Sequence, residues 1–293
     1  MRVLRIIIDP VLNGKRLSEW FNVDVRSLHS KVLDEWSNIT GETFTISNEI
    51  LSEEIPIKED GYQYSLDEYW NVLSGIKEHH SPDYMDYKSF IEKFDLINRK
   101  NNFEFDEVHI YAAGWMGGFE SRMVGNNSIW CNAPLYVADC SNFVIMAFNM
   151  QRGVSEAIEA FGHRTESTLK YCYSSFWSKF LSVVGSVHIP HNGTTDYDWA
   201  NKTIKSCYAD MFPDSWNNIP VVSNENKGCN LLLAVMAGLK PLTISTETDF
   251  QPVPRNCEYW KCNSLDYFRY WYNHIPKEMF DVIIHPDKIK IME

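Results

Sequence analysis

Short apolar, β-branched runs alternate along this chain with segments of helical periodicity, and that alternation confines it to the α/β and α+β classes. Residues 3–8 and 43–50 read as strands. Between them Val25, Leu28, Val32, Leu33 and Trp36 recur at helical spacing. The acidic, proline-containing stretch 52–61 reads as a loop, Ser65-Leu-Asp-Glu68 opens a helix with a capping box, and a further helix is predicted over 86–96. Residues 107–111 have the composition of a buried strand and lead into the glycine-rich segment 113–122; residues 143–148 form the next strand. From 153 to 184 the pattern is helical throughout, which predicts the longest helix of the chain. A short extended segment over 186–190 follows, ended by Pro190 and the turn signal Asn192-Gly193. The chain is thus expected to hold an α/β lobe over 1–190 and a helical, loop-rich lobe over 191–293.

Composition narrows the partners. With 44% hydrophobic and 23% charged residues in 293, the chain buries a full core, which excludes disordered and collagen-like classes. A formal charge of −12 opposes attraction to nucleic acid or to an anionic membrane. No apolar run reaches the length of a membrane helix, and the first thirty residues do not resemble a secretory signal, so a cytoplasmic location is expected. Seven cysteines without a CxxC pair read as buried free thiols, neither a disulfide framework nor a zinc ribbon.

Chemistry concentrates on the long helix. Glu156, Glu159, His163 and Glu166 share one stripe, at spacings of three, four and three residues, opposite most of the apolar face. An imidazole and a carboxylate at i, i+3 are the donor types of a transition-metal site, so His163 and Glu166 are candidate ligands. His188, His191, Asp196 and Asp198 follow the helix and supply the third ligand, with His188 the first choice. Such a stripe is also what a solvated helix face carries. The loop 114–132, with Trp115, Phe119, Glu120 and Arg122, reads as a flexible segment bordering a cleft, either a plain connection or a substrate-binding edge strand or lid with Glu120 in an acid–base role. No P-loop, GxGxxG or GxSxG pattern occurs. The aromatic run at Tyr267-Phe-Arg-Tyr-Trp-Tyr272, with Tyr259-Trp260, reads first as core and second as a stacking surface.

The segments Phe148-Asn-Met-Gln-Arg-Gly-Val-Ser-Glu-Ala-Ile-Glu-Ala-Phe-Gly-His-Arg-Thr-Glu-Ser167, Gly117-Gly-Phe-Glu-Ser-Arg-Met123, Val187-His-Ile-Pro-His-Asn-Gly193 and Asp196-Tyr-Asp-Trp199 resemble an uncharacterised bacterial protein family, a likeness that covers most of the chain and implies no activity. A looser resemblance links the element order, strand, helix, strand, helices, strand and then a helix bearing His and Glu, to the zincin metallopeptidases. Arg164 stands where the general-base glutamate of their HExxH motif would be, and Ser167 where the second histidine would be. What remains resembles the HxxE of zinc carboxypeptidases, whose downstream histidine His188 would match.

These readings predict a zincin-like mixed sheet with a long active-site helix and a zinc-dependent hydrolase of peptide or amide bonds. His163, Glu166 and His188 would hold zinc, Glu159 would be the base, and Arg164 or Arg122 would bind a substrate carboxylate or an oxyanion. The alternatives are a metal-free protein that binds a glycan or peptide and a glycoside hydrolase using two of Glu120, Glu156 and Glu159.

Overall fold

The computed structural model describes residues 1–183, 186–187 and 264–289. They contain a five-stranded, mostly parallel sheet with helices, so the α/β class is borne out. The strands are β1 (Arg2–Ile8), β4 (Thr45–Ser52), β5 (Glu107–Ala112), β6 (Ser121–Val124) and β7 (Phe143–Asn149), in spatial order β4-β1-β5-β7-β6. Only the β6–β7 pair is antiparallel. β5 lies at the centre and is buried at every position, as a strand covered on both faces must be. The chain divides into two compact units, one of Met1–Arg164 with Ile284–Glu293 and a second of Thr165–Ile283.

In the first unit, a hairpin of β2 (Val11–Leu12) and β3 (Lys15–Arg16) follows β1, turned by Asn13-Gly14 at φ 51° and 79°. Asn-Gly is the standard sequence for that turn, a signal that apolar patterning alone passes over. A single helical turn, α1 (Leu17–Trp20), leaves the hairpin. Then α2 (Val25–Thr40) follows the predicted helix, capped by the Asp24 carboxylate and stopped by Gly41 in the left-handed region. α3 (Leu66–Leu73) has the expected Ser65–Glu68 capping box. The helix expected over 86–96 is two short ones, α4 (Tyr87–Lys93) and α5 (Leu96–Asn101), because Asp95 adopts a left-handed conformation at φ 51° and turns the chain between them.

The long helix is also divided. α6 (Val154–Cys172) ends before Tyr173, and α7 (Ser174–Val183) starts afresh. No glycine or proline stands at the break; the backbone hydrogen bonds Tyr173 N–H to Leu169 and Trp177 N–H to Tyr173 belong to the two helices separately. Within the second unit, α8 (Ser264–Tyr272) and α9 (Lys277–Ile284) bury Phe268, Trp271, Tyr272 and Phe280, and the Trp271 ring meets Phe180 edge-on at 5.3 Å. These aromatics are core; Tyr259 and Trp260 lie outside the described residues.

A chain of polar groups runs through the core of the first unit. Glu107 and His109 sit two apart on β5 and therefore share a face. Arg164 Nη1 donates to Glu107 at 2.6 Å, and His109 Nε2 is 2.7 Å from the other Glu107 oxygen. His29 Nε2, from α2, is 2.8 Å from His109 Nδ1, and Arg5 Nη1 lies 3.5 Å from His29 Nδ1. Arg5 in turn donates to Glu49 of β4 at 2.7 Å. One assignment of protons satisfies the whole row. A carboxylate at Glu107 only accepts, so His109 carries its proton on Nε2 and accepts at Nδ1; His29 then donates from Nε2 and accepts from Arg5. Every link then has one donor and one acceptor.

Candidate active site

The carboxyl ends of parallel strands are where open α/β sheets bind ligands, because the loops diverge there. At that end of this sheet lies a cleft of about 220 Å³, lined from β1 by Ile8, from β5 by Tyr111, from β7 by Asn149 and from α6 by Glu156, Ala157 and Ala160, with the glycine-rich segment along its rim. Glu120 and Trp115 both line it.

The glycine-rich segment is held at many points, contrary to the flexibility expected of it. Tyr69 Oη donates to the Gly114 carbonyl at 2.7 Å, and the Gly114 N–H donates to Gln151 Oε1 at 3.0 Å. The fully buried Lys58 ammonium donates to the Trp115 carbonyl at 2.7 Å and to the Asp83 carboxylate at 2.5 Å. Tyr87 Oη accepts from the Phe119 N–H at 2.8 Å. A loop with this many side-chain tethers is a fixed wall. Gly117 is required in it: φ is 84°, and a Cβ there would stand 2.1 Å from the Asp83 carbonyl oxygen. Gly117→Ala is expected to destabilise the protein by about 1–3 kcal/mol, the range for strained backbone, read as a lower urea midpoint. Past this wall the segment 114–132 contains β6, the antiparallel edge strand, which realises the edge-strand part of the sequence reading.

Glu120 stands immediately before β6, and the Asn132 side-chain amide donates to its carboxylate at 2.6 Å. The Glu120 side chain is 41% exposed and its Oε2 lies 3.6 Å from His163 Nε2. Glu159, one turn before His163 on α6, brings its Oε1 to 3.8 Å from the same nitrogen. So His163 sits between a cleft-facing carboxylate and a buried one. The stripe expected on α6 is thus no solvated face, since Glu159 is buried and Glu156, His163 and Glu166 are half-buried. Glu156 turns back to the start of its own helix and accepts from the Gly153 N–H and from Ser155 Oγ, both at 3.0 Å.

Other predicted residues are placed differently. Arg164 is in the core, fully buried on Glu107, and does not line the cleft. Arg122 stacks on aromatic rings, with its guanidinium carbon 4.6 Å from the Tyr87 centroid. Glu166 Oε1 accepts the Val187 N–H at 2.7 Å. His188, His191, Asp196 and Asp198 lie outside the described residues. Among the described residues, no group of three or more His, Cys, Asp or Glu side chains is placed to hold a metal ion. Cys131 and Cys140 are buried free thiols, each shifted upward in pKa by burial. No described helix is long and apolar enough to cross a membrane.

Sequence reasoning missed Lys58, Tyr69 and Tyr111 as parts of this site, whereas Trp115 and Glu120 were already placed on a loop bordering a cleft. The one available signal for Lys58 was a lone lysine between Ile57 and Glu59 in a segment that reads as loop. Compared with family models, curated proteins and solved structures, the chain matches none.

Proposed function

We propose that this chain is a hydrolase that activates water beside His163, with Glu120 and Glu159 as the flanking carboxylates and an amide bond as its target. The observation that carries the reading is the pair of separations at His163 Nε2, 3.6 Å to Glu120 and 3.8 Å to Glu159. They exceed a direct hydrogen bond. Donors around a tetrahedral zinc, each about 2.0–2.2 Å from the ion, stand about 3.4 Å apart, so His163 and Glu120 suit a shared cation. The further donors proposed are Glu166 and His188, on sequence grounds alone. Zinc bound there would lower the pKa of a coordinated water and polarise the carbonyl. Glu159, buried beside the same nitrogen, takes the proton from water and returns it to the leaving amine. The zincin-like description of the lobe belongs to this proposal and rests on the helix after the last sheet strand carrying the imidazole.

A second reading has its own support. Glu120 and Glu156 both line the cleft, as two carboxylates would in a metal-free glycoside hydrolase.

Metal analysis separates the two. The purified protein is expected to carry about one equivalent of zinc, and His163→Ala to lose it, because too few donors remain. Glu159→Gln is expected to keep the metal and to lose about 10²–10⁴-fold in turnover, the usual contribution of a general base. Protein that stays metal-free after dialysis against zinc would overturn the metal mechanism. Turnover that depends on both Glu120 and Glu156 in metal-free protein would establish the second reading.

A further inference from the structure

Trp115 has a backbone conformation that its side chain disfavours. Its φ is 64°, in the left-handed region where a bulky residue is an outlier costing about 1–3 kcal/mol, and such outliers persist where the surroundings impose them. Here they do: the Trp115 carbonyl is held by the Lys58 ammonium, the preceding carbonyl by Tyr69, and the preceding N–H by Gln151. The indole lies flat on His79, 4.0 Å between centroids and 11° between planes, yet Trp115 remains 43% exposed. One face is backed by imidazole, so the exposure comes from the rest of the ring, at the rim of the cleft. The tethered backbone therefore keeps a partly exposed indole at the cleft rim.

The cleft behind it selects the ligand. Its charged lining among the described residues is Asp83, which Lys58 already balances, and Glu120 and Glu156 against Arg152, and the Glu156 carboxylate already accepts from the Gly153 N–H just before α6. Anionic groups are therefore repelled. The uncharged polar lining includes the Asn149 side chain and the backbone groups of the glycine-rich segment. A volume of about 220 Å³ lies below the range of drug-sized pockets, about 300–1,000 Å³, and fits one ring-sized group.

We infer that the cleft takes a sugar ring of a neutral glycan, stacked at its rim on Trp115, with its hydroxyls on the carboxylates and polar groups inside. The inference rests on the cleft being the substrate site of the proposed hydrolase, and an amide bond carried by an N-acylated sugar satisfies both.

The test is equilibrium binding, which does not depend on turnover. Tryptophan fluorescence would be followed as cellotetraose, chitotetraose and a neutral-capped tetralysine peptide are each added to the full chain. At least one neutral tetrasaccharide is expected to bind, Trp115→Phe within a few-fold of wild type, and Trp115→Gly at least tenfold weaker by calorimetry. Glycine prefers the φ found there, so Trp115→Gly is expected to fold, as checked by circular dichroism. Trp130→Ala, which removes an exposed tryptophan that does not line the cleft, is expected to leave binding unchanged. No binding of either sugar at 10 mM overturns the inference, as does equal binding by Trp115→Gly, or binding of the peptide alone in a Trp115-dependent way. A protein that binds the sugar and hydrolyses nothing defeats the hydrolase reading only; one that hydrolyses amides without Trp115-dependent sugar binding defeats this inference only.

Discussion

Arg164→Met is expected to cost about 3–5 kcal/mol of stability, the range for removing one member of a buried ion pair. Arg164 and Glu107 are each about 1% exposed at the side chain, and the 2.6 Å bond between them joins α6 to the central strand. Without the guanidinium, the Glu107 carboxylate stays in the core with His109 as its remaining partner in the polar row. Glu107→Gln is expected to cost a similar amount by leaving the guanidinium unbalanced. The double variant decides the issue: with neither charge present, it should be more stable than the sum of the two single effects predicts, by about 1 kcal/mol or more. Urea unfolding of the four proteins measures this, and strictly additive losses would show that the pair is not coupled. The consequence for the site is positional. Successive helical residues are about 100° apart, so turning Arg164 inward fixes which way its neighbour His163 faces, and with it the approach to Glu120.

Acid is expected to unfold this protein in two stages. Burial holds the His29 pKa well below 6.5, with the nearby His109 and the Arg5 charge acting in the same direction. Burial alone would raise the Glu107 pKa, but the Arg164 charge and the His109 hydrogen bond outweigh it and push it down to about 2. In both cases the unfolded chain binds the proton more tightly than the folded one, so stability falls as pH falls. The His29 contribution is complete above pH 6.5 and declines below it; the Glu107 contribution is complete above about 4.5 and is lost on the way to about 2. Each titrating group adds a slope of up to about 1.4 kcal/mol per pH unit. Urea midpoints between about pH 8 and pH 2 measure both stages. His29→Gln separates the stages, since its amide can donate to His109 and accept from Arg5 without titrating. Its stability should be flat between pH 6.5 and 5, where wild type declines. Equal slopes in the two proteins would place the proton uptake elsewhere.

Local pattern carried most of the element order. Apolar runs marked β1, β4, β5 and β7, helical spacing marked α2 and the Ser65 capping box began α3, because these depend on sequence neighbours. The divisions at Asp95 and Tyr173 carry no local mark, and both stretches have the pattern of continuous helix. The role of Arg164 was hidden for a related reason. An arginine on a helix reads as solvated unless its partner is known, and that partner is 57 residues away on β5. Glu107 and His109 in an otherwise apolar strand were the available hint, since buried charge in a central strand requires an opposite charge facing it.

The sequence by itself determined that this chain is an acidic α/β protein with an imidazole and several carboxylates on one helix, because periodicity and composition are properties of neighbours. Only the tertiary structure decided what those groups meet. Strand order brought β6 beside β7 and so carried Glu120 to His163, 43 residues on, and it drew a glycine-rich segment into a wall fixed by Lys58 and Tyr69. Strand pairing set which residues face which across the sheet; the Glu107 carboxylate on β5 then drew Arg164 into the core, and the tethers from Lys58 and Tyr69 fixed the backbone around Trp115. Contacts between residues far apart in the chain depend on how the sheet closes, and no local window of sequence contains that information.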